Sequence, residues 1–160
     1  LFVQYNFCIN TNRFFLYNYC RILMVFNWQK TVKTIIIISM NQKRLYALRG
    51  AVCTEDSPES IEEAVKSLFQ QLYSKNSIQD ENLVSIQFTV TSDLQSLNPA
   101  TALRKAGFGS SVPLFCSQEP EIKGMLKKVI RVLITGYFDE KPIPVYANGA
   151  EVLRPDLTKW

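Results

Sequence analysis

Apolar residues recur at helical spacing over residues 61–72, which predicts an amphipathic helix. Ser57 and Pro58 stand just before this segment. Serine is a favourable helix N-cap and proline is tolerated at the first helical position, so we expect the helix to begin there. Asn98 is followed by proline in the same way, which predicts a second, shorter helix that ends near residue 106.

Alternation of apolar and polar residues over residues 84–90 predicts a strand with one buried face. Short apolar segments bounded by turn-forming residues predict the other strands. They lie at residues 45–52, 112–116, 128–137, 144–147 and 151–153. Strands and helices in this order indicate one α+β domain without an internal linker or repeat.

The chain changes character at Met40. Residues 1–39 contain four of the 18 basic residues, none of the 14 acidic residues, and neither glycine nor proline. The formal net charge of +4 therefore belongs to this segment and is no argument for a nucleic-acid-binding domain. We expect residues 1–39 to be a leader outside the folded domain, either upstream translation or a targeting segment, and residues 40–160 to form the domain. A structural extension of the domain is the third interpretation.

The sequence contains no histidine, and its four cysteines form no Cys-x-x-Cys pair. The absence of histidine excludes Ser-His-Asp and Cys-His nucleophiles and histidine metal sites. We expect neither a metal nor a cofactor. Scattered cysteines are typical of reduced thiols, which favours a cytoplasmic protein, or a plastid one if the leader is a genuine targeting peptide. The longest apolar runs are far below the roughly 18 residues that a membrane span needs.

Three arginines, Arg49, Arg131 and Arg154, lie within or beside predicted strands. A guanidinium among β-branched residues must meet a buried acid, reach the surface or bind an anion, because an unpaired buried charge is costly. For a single arginine, a solvent-facing position is the more common explanation. Together with Arg104 on the short helix, the three indicate an anion site without identifying the anion.

Three further residues carry little information by themselves. Glu119 follows a predicted strand, where a carboxylate is usually solvated. Cys116 fits a small core residue, and Tyr146 fits a packing residue with a hydrogen-bonded hydroxyl.

Four motifs follow one another along the chain. Arg-Gly-Ala lies within residues 44–51, a Val-Pro…Glu segment spans residues 112–119, an arginine-bearing apolar strand spans residues 126–132, and Leu-Arg-Pro-Asp lies within residues 152–157. Together they resemble the monofunctional, trimeric class of chorismate mutases, whose signatures occur in this order and spacing. The resemblance covers essentially all of residues 44–157.

The resemblance implies a mixed β-sheet with two helices per subunit, assembled as a homotrimer around a barrel-like core with active sites between neighbours. It implies an isomerase that rearranges chorismate to prephenate in phenylalanine and tyrosine biosynthesis, with no nucleic-acid or membrane partner. The rearrangement is concerted within one molecule and needs no nucleophile, metal or proton transfer. It needs a folded dianion and stabilisation of charge on the ether oxygen, and arginine supplies both.

Matched by motif, the resemblance implies three catalytic residues. Arg131 would reach the ether oxygen and a carboxylate. Arg49 would hold the enolpyruvyl carboxylate with Tyr146, and Glu119 would bind the ring hydroxyl with Cys116. The other substrate-binding residues that it implies are Arg104 and Arg154 near the mouth, and Ala100, Leu114, Phe115 and Leu153 along the pocket wall.

The chain departs from the family at residues 98–101, which read Asn-Pro-Ala-Thr where relatives often have Phe-Pro-Ala-Lys. Two other classes of function stay open. A same-shaped trimeric small-molecule-binding or enamine-deaminase-like protein would not need Glu119, Arg131 and Arg154 together. A nucleic-acid or membrane-surface binder would need the basic leader in the mature protein.

Overall fold

Both helices begin at the residues that the sequence predicts. The computed structural model describes residues 43–156, so the predicted leader lies outside the described residues. In α1 (Pro58–Asn76) the N-cap Ser57 accepts a hydrogen bond from a first-turn N–H at 3.2 Å. In α2 (Pro99–Lys105) the N-cap Asn98 does the same at 2.8 Å. Within residues 43–156, neither helix has the length and apolarity that a membrane crossing requires.

Five strands form one mixed sheet. They are β1 (Arg44–Cys53), β2 (Leu83–Val90), β3 (Leu114–Gln118), β4 (Val129–Phe138) and β5 (Val145–Ala147). Across the sheet the order is β3-β2-β4-β1-β5. β4 is antiparallel to both of its neighbours, whereas the outer pairs β2–β3 and β1–β5 are parallel. The predicted α+β fold, with a mixed sheet and two helices, is confirmed.

The helices cover only one face of this sheet. The apolar residues that predicted α1 are all buried, and Phe88 and Ile134 meet them from the sheet. Alternate residues of the same strands point to the opposite side. This second side, called the open face below, carries Arg49 on β1, Thr89 on β2 and Arg131 on β4.

Gly50 and Ala51 in β1 pack against different neighbours. At Gly50, a Cβ would lie 2.9 Å from Val132 Cγ1 and 3.2 Å from Leu72 Cδ1, on the helix side of the sheet. Glycine is needed there because a close-packed interior leaves no space for a methyl group. Ala51 is buried on the open face, next to Ala150.

Two side chains hold the start of β4. Thr91 Oγ1 accepts a hydrogen bond from the Val129 N–H at 3.0 Å. The Asp93 carboxylate accepts one from the Lys128 N–H at 2.9 Å. Because these bonds tie the chain at the point where the strand begins, they help to fix the register of the strand that carries Arg131.

Two predicted strands differ in the structure. The strand predicted at residues 151–153 was wrong, because this segment is a 3-10 helix, Ala150–Leu153. Asn148 and Gly149 both have positive φ, which turns the chain immediately after β5. The strand predicted at residues 112–116 begins and ends two residues later, as β3.

We expect Gly50→Ala to lower the free energy of unfolding by about 1–3 kcal/mol, because the added methyl overpacks the β1–α1 contact. Urea unfolding at one fixed protein concentration measures this. Lys66→Ala, at an exposed position of α1, is the control and should change stability by no more than about 0.5 kcal/mol. Equal stability of Gly50→Ala and the wild type would show that the contact relaxes.

Candidate active site

The open face forms a cavity of about 420 Å³. Arg49, Arg131 and Arg154 line it, and they come from β1, β4 and the segment after β5. Tyr146 of β5 and Leu153 complete this part of the wall. The structure therefore brings together five of the residues that the resemblance assigns to the substrate site.

A row of paired residues crosses the cavity floor. Thr89 lies opposite Arg131, Arg131 opposite Ala51, and Ala51 beside Tyr146. The backbones of Arg131 and Tyr146 are thus two strand spacings apart, roughly 10 Å. Because Ala51 carries only a methyl group, the side chains leave space between the guanidinium and the phenol. A small molecule that bridges this space would meet a cation at one end and a hydroxyl at the other.

The Arg131 guanidinium forms an ion pair with Glu119, through Nη1 and Oε2. The other carboxylate oxygen, Oε1, accepts a hydrogen bond from Thr89 Oγ1 at 2.5 Å. Glu119 follows β3, and its N–H donates to the Val90 carbonyl at 2.8 Å, which continues the β2–β3 pairing. Glu119 is therefore held by one hydrogen bond at its backbone N–H and by one partner at each carboxylate oxygen.

A strand arginine can meet a protein acid, reach the surface or bind an anion, and the ion pair shows which of these applies to Arg131. Its charge meets a protein acid, and its side chain also reaches the cavity, with an exposed fraction of 31%. The Glu119 side chain is only 15% exposed. A largely desolvated carboxylate needs a counter-charge, and the Arg131 guanidinium supplies it. The remaining N–H donors of the arginine are in a position to serve a ligand.

Arg154 is held by its own motif. Its Nε and Nη2 donate to the two oxygens of Asp156 at 2.9 and 2.7 Å, a forked pair. The Asp156 carboxylate raises the pKa of Arg154, and the nearby Tyr146 acts in the same direction. The aspartate of the Leu-Arg-Pro-Asp sequence thus holds the arginine of the same sequence at the cavity edge.

Glu119 is linked to the cavity through its ion pair with Arg131 but does not itself line it, and five other residues assigned by the resemblance do not line it either. Leu114 and Cys116 lie on the helix side of β3 and pack against the core. Phe115 lies opposite Gln87 with 63% of its surface exposed. On α2, Ala100 packs partly against the core, and Arg104 Nη1 donates to the Ser110 carbonyl at 2.9 Å. We call these five residues, at the β3–α2 edge, the second group.

The two cysteines within residues 43–156 are poor candidates for covalent chemistry. Burial raises the pKa of the Cys116 thiol. Burial and the Glu151 carboxylate raise the pKa of Cys53, against the opposing effect of Arg131. Raised values keep both thiols neutral and weakly nucleophilic near neutral pH. Within residues 43–156 no set of three His, Cys, Asp or Glu side chains is placed to hold a metal ion.

Among the polar side chains that line the cavity, sequence reasoning missed two, Gln87 and Thr89. The alternating pattern of residues 84–90 does place both on the face away from the core. Which strands lie beside β2 is not encoded in that pattern, so the contact between Thr89 and Glu119, 30 positions later, needs the sheet order to be known.

A family model described as chorismate mutase type I matches residues 45–157. Chorismate mutase AroH of Thermus thermophilus is 41% identical over 115 residues, which cover 69% of this chain and 93% of that protein. Chorismate mutase AroH of Bacillus subtilis (strain 168) is 36% identical over 115 residues, 69% of this chain and 91% of that protein. Among solved structures, a chorismate mutase from Clostridium thermocellum has a TM-score of 0.63 and 34% identity, covering 67% of this chain and 98% of that chain.

Proposed function

The chain belongs to the type I chorismate mutase family, and we propose that the arginine-lined cavity is where it binds chorismate and rearranges it to prephenate. Enzymes of this family are isomerases. The single observation that carries the assignment to this cavity is the convergence of Arg49, Arg131 and Arg154 on one space. The matched family and relatives favour this activity over the enamine-deaminase alternative.

The cavity has the charge and the size that the substrate requires. Chorismate is a dianion, and arginine binds carboxylates in a fork while keeping its charge at every physiological pH. A volume of about 420 Å³ lies in the usual range of small-molecule sites. The helices behind the sheet support the strands that carry Arg49 and Arg131, so these two side chains have fixed starting points, which favours catalysis by positioning.

The arginines of the cavity, Tyr146 and Glu119 each have a proposed role. Arg131 stabilises the negative charge that builds on the ether oxygen as its bond to carbon breaks. Arg49 and Tyr146 bind the enolpyruvyl carboxylate. Glu119 orients Arg131 and accepts a hydrogen bond from the ring hydroxyl. Arg154 attracts the second carboxylate at the cavity edge.

The net charge of the cavity supports a site completed by a second subunit. Three arginines against Glu119 and Asp156 leave one net positive charge for a dianion. We propose that Arg104 of a neighbouring subunit supplies the second, together with the rest of the second group. Apolar side chains on the open face agree with a covered surface, since Leu45 and Tyr137 lie opposite each other and are 57% and 48% exposed. A homotrimer is the proposed assembly.

The family match at residues 45–157 supports residues 40–160 as the folded enzyme, with residues 1–39 as a leader that catalysis does not need. We also propose a cytoplasmic location, on the basis of the scattered cysteines. The pathway that the activity serves is phenylalanine and tyrosine biosynthesis.

Arg131→Ala is expected to lower kcat by about 10²–10³-fold, the effect of losing a donor to a developing oxyanion. Arg131→Lys should also lose most activity, because a lysine lacks the forked geometry. Arg104→Ala should mainly raise KM, since it binds substrate and transition state alike. Steady-state loss of chorismate measures all three, after circular dichroism and light scattering have confirmed folding and assembly. Near-wild-type kcat in Arg131→Ala would leave that residue a purely structural role.

Subunit complementation tests the shared site. Co-expression of Arg131→Ala and Arg104→Glu chains with different affinity tags, followed by two purification steps, isolates mixed trimers. Each mixed trimer holds one site with both intact halves, so about one third of wild-type kcat/KM should return. Each variant alone is the control. Failure of mixed trimers to regain activity would place Arg104 and Arg131 in the same site of one chain, whereas full activity of the Arg104→Glu variant alone would place Arg104 in no site.

Activity should be nearly constant between about pH 6 and 9. The sequence has no histidine, and the arginines stay charged. Burial raises the pKa values of Cys53 and Cys116 above the ordinary thiol value, so neither thiol titrates near neutrality. A profile of kcat/KM against pH measures this. A bell-shaped profile centred near neutrality would indicate acid–base catalysis and contradict the mechanism.

A further inference from the structure

Thr89 holds the carboxylate that holds Arg131. It lies on the open face of β2, between Ser117 of β3 and Arg131 of β4. Its hydroxyl donates to Glu119 Oε1 at 2.5 Å, while Arg131 Nη1 donates to Oε2. An ionised carboxylate only accepts hydrogen bonds, so the threonine is the donor. With one partner on each oxygen, the carboxylate cannot rotate without breaking a bond.

The side chains of Thr89 and Glu119 differ in rigidity. Threonine is β-branched and stiff at χ1, and β2 is flanked by strands on both sides. Glu119 has a long side chain and follows β3, which is an edge strand of the sheet. The short, stiff side chain of Thr89 therefore fixes the position of its acceptor, the long and flexible side chain of Glu119. The acceptor in turn occupies only Nη1 of Arg131 and leaves the other donors of the guanidinium to the cavity.

From this geometry we propose that Thr89 is a positioning residue of the reaction: by holding Glu119 it sets the orientation in which Arg131 meets the ether oxygen. The inference rests on the proposed function of the cavity. Thr89 acts through Glu119, so it is not a catalytic residue. Its effect should appear in the chemical step more than in the capture of substrate.

Three variants test the role. Thr89→Val keeps the shape but removes the hydroxyl, and it should lower kcat about tenfold while changing KM by less than about threefold, as for a lost bond to a charged group that acts in the transition state. Thr89→Ser keeps the hydroxyl and should stay within about threefold of wild type. Thr135→Val, on the same face of β4 but outside the cavity, is the matched control and should be unchanged.

A double-mutant cycle separates positioning from a general loss of structure. In the Glu119→Gln background, Thr89→Val should cost less than about twofold in kcat, because the anchored carboxylate is already gone. If Thr89→Val does not fold, Thr89→Ala takes its place in the cycle. Additive losses, or a failure of Thr89→Ser to retain activity, would overturn the proposal.

Failure of this inference can be told from failure of the proposed function. If the wild type rearranges chorismate and Arg131→Ala does not, the function stands. A Thr89→Val enzyme that then matches Thr135→Val overturns the role of Thr89 alone. A wild type that leaves chorismate unchanged overturns both.

Discussion

The ion pair between Arg131 and Glu119 is the contact on which the rest of the site depends. β4 is the middle strand of the sheet, so a guanidinium there is surrounded by backbone that offers it no counter-charge. Glu119 supplies one, and because its side chain is only 15% exposed, loss of either partner would leave the other without its counter-charge. In the proposed function, the carboxylate neutralises Arg131 while the cavity is empty and is shared with a polar ligand when the cavity is filled.

The division of the sheet into two faces makes this arrangement stable. Apolar side chains and two helices occupy one face and supply the burial that drives folding. The other face is then free to hold charge. The neighbouring residues Gly50 and Ala51 face opposite sides of the sheet. Gly50 lets α1 approach β1 on one side, and Ala51 leaves space beside Arg131 on the other. Placing Arg49 and Arg131 on neighbouring strands gives their backbones a fixed separation, which a reaction that depends on folding its substrate requires.

Helices were predictable and contacts between strands were not. Ser57 and Asn98 mark helix starts because capping is a local interaction that the sequence displays directly. Val84 was expected on the buried face but is 46% exposed, since the ladder is irregular between Leu83 and Ser85. Register and strand order are non-local, so the role of Thr89 could not be read from the pattern that placed it on the right face. The four motifs identified all three arginines of the cavity, whereas the pairing of Arg131 with Glu119 emerged only from the fold.

A crystal structure with a rigid bicyclic ether dicarboxylate, which mimics the folded transition state, tests the central claim most directly. The ether oxygen should lie within hydrogen-bonding distance of the Arg131 guanidinium, with one carboxylate on Arg49 and Tyr146. Glu119 should still accept its bond from Thr89. Binding of the compound outside this cavity, or inside it with Arg131 contacting only Glu119, would contradict the account.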